Sequence, residues 1–449
     1  MPSHLFGTDG VRGKAGEYPL DHGTVARLGA ALVRAMRGDE TSGRPLRFII
    51  GRDTRESGDW IERELGRGVH AEGAAITSAG VIPTPATAYI TRAMGFDAGL
   101  VISASHNPFE DNGIKVFSGR GEKFTESLER HVESIVADAS WSVPDSGLPP
   151  VEHTDVIDAY IEHTRRALPD AGRLRGFSIA IDTANGATTT VAPRLFRELG
   201  LDVEVIGDAP DGRNINLACG STHPEALAAL VRARGHRMGV AFDGDGDRAI
   251  FVDHDGRIVD GDAVMLMCAR HMREQGRLNG DAVVATVMSN IGLEIALRES
   301  GIELVRCPVG DKYVMEEMIK RDLSIGGEQS GHIIFSDHLF TGDGIATALN
   351  VLRVLADTGR ELRDLAAQLV SYPQVLLNVR VKQKADLRSV PEIAKAMDRI
   401  AERLAGQGRL LVRYSGTEPL LRVMIEGRDQ EEIHGWAREI ADTVKRQLG

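Results

Sequence analysis

Short apolar runs alternate with amphipathic helical segments along most of the 449-residue chain. That alternation restricts the fold to layered α/β domains, because strands that are apolar on both faces need helices to cover them. Leu46–Ile50, Ala74–Ile76 and Ala98–Ile102 read as strands, with helices near Glu56 to Glu72 and after Pro85. A second unit opens at Phe177–Ile181, carries a helix near Thr190 to Leu199, and ends on the strand Met238–Phe242. A third begins with a helix from about Gly261 to Glu274 and continues through strands at Ala282–Val287, Glu303–Arg306 and Leu323–Ile325. The tail changes character. It reads as a strand at Val375–Val381, a helix at Pro391–Leu404, two strands about a turn within Leu410–Ile425, and a closing helix at Gln430–Leu448. The chain is too long for one core. The expected architecture is α/β: three similar mixed sandwich domains over 1–155, 156–255 and 256–370, then a smaller C-terminal α+β domain over 371–449, joined near Ser371-Tyr372-Pro373.

Composition narrows the function. Hydrophobic content of 42% and charged content of 26% suit a soluble globular protein. A net charge of -12 argues against a general nucleic-acid or anionic-membrane surface, so any phosphate must meet basic groups concentrated locally. Cys219, Cys268 and Cys307 are too far apart in sequence to form a metal-type pair and read as core thiols of a reducing compartment. The first residues carry no apolar signal region, and the longest uncharged stretch, Gly73 to Thr91, holds prolines, glycines and threonines that suit a bilayer poorly. A cytoplasmic setting is the expectation.

The unusual residues fall just after strands, where open α/β sheets gather their ligands. Asp243-Gly244-Asp245-Gly246-Asp247-Arg248 places three carboxylates at alternate positions with an arginine behind them. Asp-Gly pairs often make simple turns. Three acids this close nevertheless repel one another unless a cation is near, and hard oxygen donors suit Mg²⁺ or Ca²⁺. A calcium helix-loop-helix is excluded, because the sixth position is Arg248 and the twelfth is His254. Asp253-His254-Asp255-Gly256 reads as an ordinary turn.

Ser103-Ala104-Ser105-His106-Asn107-Pro108 sets hydroxyls beside an imidazole, and a simple cap before a turn would look the same. Ser103 and Ser105 share a face at period two, so the residues alone do not choose the reactive hydroxyl. Lysines are scarce, nine among 53 basic residues, so Lys115 in the polar stretch Asp111 to Lys115 reads as a phosphate partner or proton carrier. In Gly326 to His332, Glu328 and Ser330 sit two apart, as a pair gripping sugar hydroxyls would; a glycine bend with a hydrogen-bonded His332 fits equally. Arg413-Tyr414-Ser415-Gly416-Thr417-Glu418-Pro419, with Arg422, combines arginines, hydroxyls and glycine as a phosphate cradle does. Gly7 to Lys14 fails as a nucleotide P-loop, since Thr8 and Ala15 stand at required positions, but reads as a glycine-rich loop placing Arg12 at a cleft.

In order, the segments Phe6 to Gly13, Ser103 to Pro108, Asp243 to Arg248, Gly327 to His332 and Arg413 to Pro419 resemble the α-D-phosphohexomutase family over nearly the whole chain. Gln329, between Glu328 and Ser330, resembles the branch acting on glucosamine phosphates, where relatives acting on mannose and glucose phosphates tend to carry methionine. The resemblance implies four domains around a central cleft, with Ser105 as a phosphoserine. Asp243, Asp245 and Asp247, with an oxygen of that Ser105, would bind one Mg²⁺ per chain. Glu328 and Ser330 would contact the sugar, and Arg248 would face an anion. Arg413, Ser415, Gly416, Thr417 and Arg422 would clamp the non-reacting phosphate; Arg12, Lys115 and His332 would share proton transfer and charge stabilisation. The implied activity interconverts glucosamine 6-phosphate and glucosamine 1-phosphate through a 1,6-bisphosphate, feeding UDP-N-acetylglucosamine synthesis. A hexosamine or hexose 1,6-bisphosphate would prime it. The implied partner is a phosphosugar rather than nucleic acid or membrane, with room for a homodimer. The rivals are a sister mutase for glucose or mannose phosphates, a metal-dependent sugar phosphatase, and a non-catalytic sugar-phosphate binder.

Overall fold

A computed structural model describes residues 5–7, 9–37, 44–145, 149–415 and 419–449. The chain divides into two compact units: Met1–Met288 with Gly301–Gln368, and Ser289–Ser300 with Leu369–Gly449.

The first unit holds three sheets. Strands β1 (Phe6–Gly7), β2 (Gly10–Lys14), β3 (Arg47–Arg52), β4 (Ala75–Val81), β5 (Ala98–Ile102), β6 (Asp111–Ser118) and β7 (Glu152–His153) form a sheet of order β1-β2-β6-β5-β3-β4-β7. Strands β8 (Ser178–Asp182), β9 (Asp202–Ile206), β10 (Met238–Phe242), β11 (Ala249–Asp253) and β12 (Ile258–Val259) follow the order β12-β11-β10-β8-β9. Strands β13 (Ala282–Thr286), β14 (Glu303–Cys307), β15 (Ile325–Gly327) and β16 (Ile333–Phe335) follow β14-β13-β15-β16.

One four-strand pattern recurs in all three. β3, β8 and β13 lie centrally, parallel to β4, β9 and β14 on one side and to β5, β10 and β15 on the other. Each of the latter then hairpins into an antiparallel partner, β6, β11 or β16. The expected triplication is therefore a repeat of strand order. β5, β10 and β13 are buried along their full length, which explains their continuous apolar sequences. Helices are stopped by local chemistry: Asp260 accepts from the Ala263 amide to begin Gly261–Glu274, and Asp343 accepts from Ala346 to begin Gly344–Thr358. Gly359, left-handed at φ 66°, ends the second.

In the second unit, β17 (Gln374–Arg380), β18 (Arg409–Tyr414) and β19 (Leu420–Glu426) form an antiparallel sheet with β19 in the middle. Helices Pro391–Leu404 and Gln430–Leu448 bury Ile393, Ile400, Ile433 and Ile440 against Val379, Val423 and Ile425. Asn290 joins the same unit by exchanging two hydrogen bonds of 2.9 Å with the Tyr372 backbone. No helix among the described residues is long and apolar enough to cross a membrane. Cys219, Cys268 and Cys307 are buried and unbridged; burial pushes their thiols up to about 11, 12 and 12, as inert core thiols require.

Candidate active site

The repeated hairpin decides where the chemistry sits. In each sheet the turn leading into the antiparallel partner carries one of the sequence's unusual segments: Ser103 to Glu110 after β5, Asp243 to Arg248 after β10, and Glu328 to His332 after β15. The Asp243 turn is tied to all three sheets' surroundings. Thr84 donates its amide to Asp245 O (2.8 Å) and its hydroxyl to Asp245 Oδ2 (2.6 Å). The Ala187 amide donates to Gly244 O (2.8 Å) and the Gly344 amide to Gly246 O (2.9 Å). Both glycines are required by space. A Cβ on Gly244 would stand 2.6 Å from Ser105 O, and Gly246 adopts φ +75° against Thr188.

Asp243, Asp245 and Asp247 are buried, and one oxygen of each lies within 4.8 Å of the others. Burial, then Asp247 and Asp245, push the Asp243 carboxyl well above its usual range. Asp247 moves the other way: burial is outweighed by Lys115, His332 and Arg248. Asp245 Oδ1 and Asp247 Oδ1 are buried and accept no hydrogen bond among the described residues. Two orphaned hard oxygens, beside a third carboxyl that its neighbours drive towards protonation, fit a site built for a cation.

The Ser105 hydroxyl donates to Asp243 Oδ2. Ser105 adopts a left-handed backbone, φ 53°, so it does not share a strand face with Ser103 as period two requires. Ser103 is committed elsewhere, donating to Asp53 Oδ2 (2.5 Å) and accepting from the Ser105 amide (2.9 Å). The structure thus separates two serines that sequence left equivalent. His106 Nδ1 lies 3.3 Å from the Ser105 hydroxyl, and burial, with Arg248 and Arg12, lowers this imidazole to about 4.

Lys115 is a correction in placement. It stands on β6 rather than in a polar loop, fully buried, with Nζ 2.9 Å from Asp245, 3.0 Å from Asp247 and 3.2 Å from Asp9. Desolvation opposes its charge, but the three carboxylates overcome this and hold the ammonium well above its ordinary range. Arg12 likewise stands on β2, paired to β6, rather than in a glycine-rich loop; it donates to Asp9 and to Ala104 O. Both segments read as loops because their polar residues serve the site rather than a solvated edge.

His332 is buried, its Nδ1 3.6 Å from Asp247 and its Nε2 3.6 Å from Asp311. The Gly342 amide donates to Nε2 (3.1 Å), which leaves Nδ1 to carry the proton of the neutral ring. Desolvation lowers this imidazole, yet Asp247 and Asp311 raise it more. Arg248 turns a buried Nε, which has no hydrogen-bond partner among the described residues, towards the same region, 3.8 Å from Asp247. Glu328 Oε1 accepts from the Gly310 amide (3.2 Å), and Ser330 is exposed. These two lie in a turn, so the period-two argument for a shared direction does not apply to them. Gln329 donates to Asp260 Oδ2 (3.0 Å), anchoring that turn to the start of Gly261–Glu274.

The sequence reading missed Asp9, Lys123 and Asp311. Lys123 pairs with Asp9 (2.5 Å) and with Asp311. Following the contacts gives a closed ring in which carboxylates alternate with basic side chains: Asp247, Lys115, Asp9, Lys123, Asp311, His332 and back to Asp247. The scarcity of lysine that singled out Lys115 applied equally to Lys123 and would have found it.

In the second unit, Arg413 on β18 and Arg422 on β19 are direct cross-strand partners, and Lys384 donates to Ser415 O (2.7 Å). Gly416 and Thr417 lie outside the described residues.

Family models for the phosphoglucomutase/phosphomannomutase domains match this chain in order: α/β/α domain I over 3–142, domain II over 158–256, domain III over 260–372 and the C-terminal domain over 376–443. A phosphoglucosamine mutase from Syntrophotalea carbinolica is 46% identical, covering 100% of this chain and 99% of its own, and one from Solibacter usitatus is 46% identical over the whole of both. This chain belongs to the phosphohexomutase family, with the phosphoglucosamine mutases. The phosphohexomutase fold recurs in a phosphoglucomutase/phosphomannomutase family protein from Burkholderia thailandensis, with a TM-score of 0.80, 24% identity, and 100% and 99% of the two chains covered. It recurs in an Aspergillus fumigatus N-acetylphosphoglucosamine mutase solved with GlcNAc-6P and magnesium, at TM-score 0.68 and 19% identity over 99% and 96%.

Proposed function

We propose that this phosphohexomutase interconverts glucosamine 6-phosphate and glucosamine 1-phosphate, carrying a phosphoryl group on Ser105. The observation behind the reading is the Ser105 hydroxyl, donating to Asp243 within a buried group of three carboxylates. Phosphoryl transfer is governed by positioning and charge neutralisation, and these residues supply both. The Oγ–phosphorus bond breaks as the phosphorus bonds to the free sugar hydroxyl, whose proton passes to a nearby base. The resulting 1,6-bisphosphate reverses its orientation and returns the other phosphate to Ser105. A hexosamine or hexose 1,6-bisphosphate would prime an unphosphorylated chain by the same transfer.

Asp243, Asp245 and Asp247, with an oxygen on Ser105, would hold Mg²⁺, which would neutralise charge on the transferring group. Arg12, Lys115 and His332 border these carboxylates and would stabilise charge and handle the proton. Arg248, with its open Nε, would receive an anion, and Glu328 and Ser330 would contact sugar hydroxyls. Arg413, Ser415, Gly416, Thr417 and Arg422 would take the non-reacting phosphate.

Intact mass with peptide mapping should find one added phosphate, on Ser105. Turnover of glucosamine, glucose and mannose phosphates should favour the first with free phosphate near background. A preference for the others makes it a sister mutase, and release of inorganic phosphate makes it a phosphatase.

A further inference from the structure

The geometry points to Arg55 as a positioning residue for phosphoryl transfer, acting through the backbone of Ser105, which deepens the function proposed above and rests on it. Ser105 is a non-glycine residue in the left-handed region, a conformation that persists only where its surroundings enforce it. Three successive features of the turn are held by one guanidinium. Arg55 Nη2 donates to Ser105 O (3.0 Å) and Asn107 O (2.9 Å), and Nη1 donates to Pro108 O. Its Nε donates to Asp53 Oδ2 (2.9 Å), and its own amide donates to Asp53 Oδ1 (3.0 Å).

Asp53 completes the circuit. The carboxylate accepts from the Ser103 hydroxyl, whose oxygen accepts the Ser105 amide, so Ser105 is gripped at both its N–H and its C=O. Asp53 and Arg55 are each 1% exposed and follow β3 directly, so the brace is anchored in the sheet core. A second donor reaches the same carbonyls from the next domain: Asn216 Nδ2 donates to Ser105 O (2.9 Å) and Asn107 O (3.2 Å). Arg55 therefore never meets the reacting atoms. Its fork fixes where the Ser105 hydroxyl points, and a shift of about 1 Å at a reacting oxygen costs on the order of 100-fold in rate.

Arg55→Lys keeps the cation beside Asp53 but cannot serve three carbonyls in a plane. It should lower kcat per phosphorylated Ser105 by about 100-fold while KM stays within roughly threefold. Amide hydrogen exchange across 104–108 should accelerate. Asn216→Ala, which leaves the buried pair intact, should show the same split at smaller amplitude, about tenfold in kcat. Wild-type kcat together with wild-type exchange in Arg55→Lys overturns the inference. Should that variant fail to fold, the same pair of results in Asn216→Ala overturns it. The exchange measurement keeps the two readings apart: wild-type protein inactive on glucosamine phosphates sinks the substrate assignment, whereas unchanged exchange together with unchanged kcat in the variants sinks the brace.

Discussion

At Ser105 one backbone torsion separates the hydroxyl proposed to carry the phosphoryl group from its neighbour two residues earlier, and no sequence pattern carries that information. Period-two reasoning assumes extended backbone; φ 53° breaks it and sends Ser103 to Asp53 and Ser105 to Asp243. Ser105→Ala should reduce turnover by at least about 10⁴-fold, with sugar-phosphate binding retained by calorimetry, because among the described residues the hydroxyl reaches only Asp243 and the adjacent His106. Retained turnover would place the phosphoryl carrier elsewhere. The grouping of the three carboxylates, by contrast, was legible, since acids at alternate positions in one short turn are forced close together. Asp245→Asn preserves shape, and its Thr84 contacts include a backbone one, so the fold should survive. Its half-maximal magnesium concentration should rise by about tenfold or more and kcat should fall. A superimposable metal titration would remove Asp245 from the ligands.

At the level of elements, the readable parts were those whose periodicity serves a single core. Gly261–Glu274, Pro391–Leu404 and Gln430–Leu448 agree with their apolar spacing to the residue. β6 and β2 were not legible, because Asn112, Lys115 and Arg12 replace the expected apolar alternation with polar groups bonded to Ser57, Asp245 and Asp9. The hairpin after each third strand was visible only as odd residues in similar places; recognising it as a repeat needed the strand order. In the tail, Arg413 faces Arg422 across β18 and β19. Like charges directly opposite weaken a sheet unless an anion sits near them. Arg413→Ala should therefore raise KM by about tenfold without lowering the melting temperature. A variant that unfolds would give Arg413 a structural role instead.

Across the first unit, the domains meet through polar and aromatic contacts that single-sequence reasoning cannot assemble. His163 is stacked between Tyr89 (3.9 Å) and His338 (4.0 Å), and His338 faces Asp343 (3.2 Å), which also accepts from Tyr160 (2.9 Å). Burial, then His338, lowers the His163 imidazole to about 3. Its folded value lies below the unfolded one, near 6.5, so the unfolded chain binds the extra proton first. Stability is complete above about 6.5 and is lost as pH falls towards 3. By pH 5 the loss attributable to this ring is about 2 kcal/mol. His163→Phe should keep the stack and flatten the melting temperature between pH 6.5 and 5, and an unchanged slope would show that the ring does not drive it.

The ring of carboxylates and basic side chains has a further consequence. Arg12, Lys115 and Lys123 all converge on Asp9, and these attractions outweigh its desolvation and hold its carboxyl far below the usual range. Any incoming dianion that recruits those cations must win them from a resident rival of the same sign. At the site proposed above, Asp9 would thus act as a tethered competitor for those cations and hold affinity for phosphate down. Asp9→Asn would retire that rival. Inorganic phosphate should then bind at least about tenfold more tightly by calorimetry, about 1.4 kcal/mol, and product should leave more slowly than from the wild type.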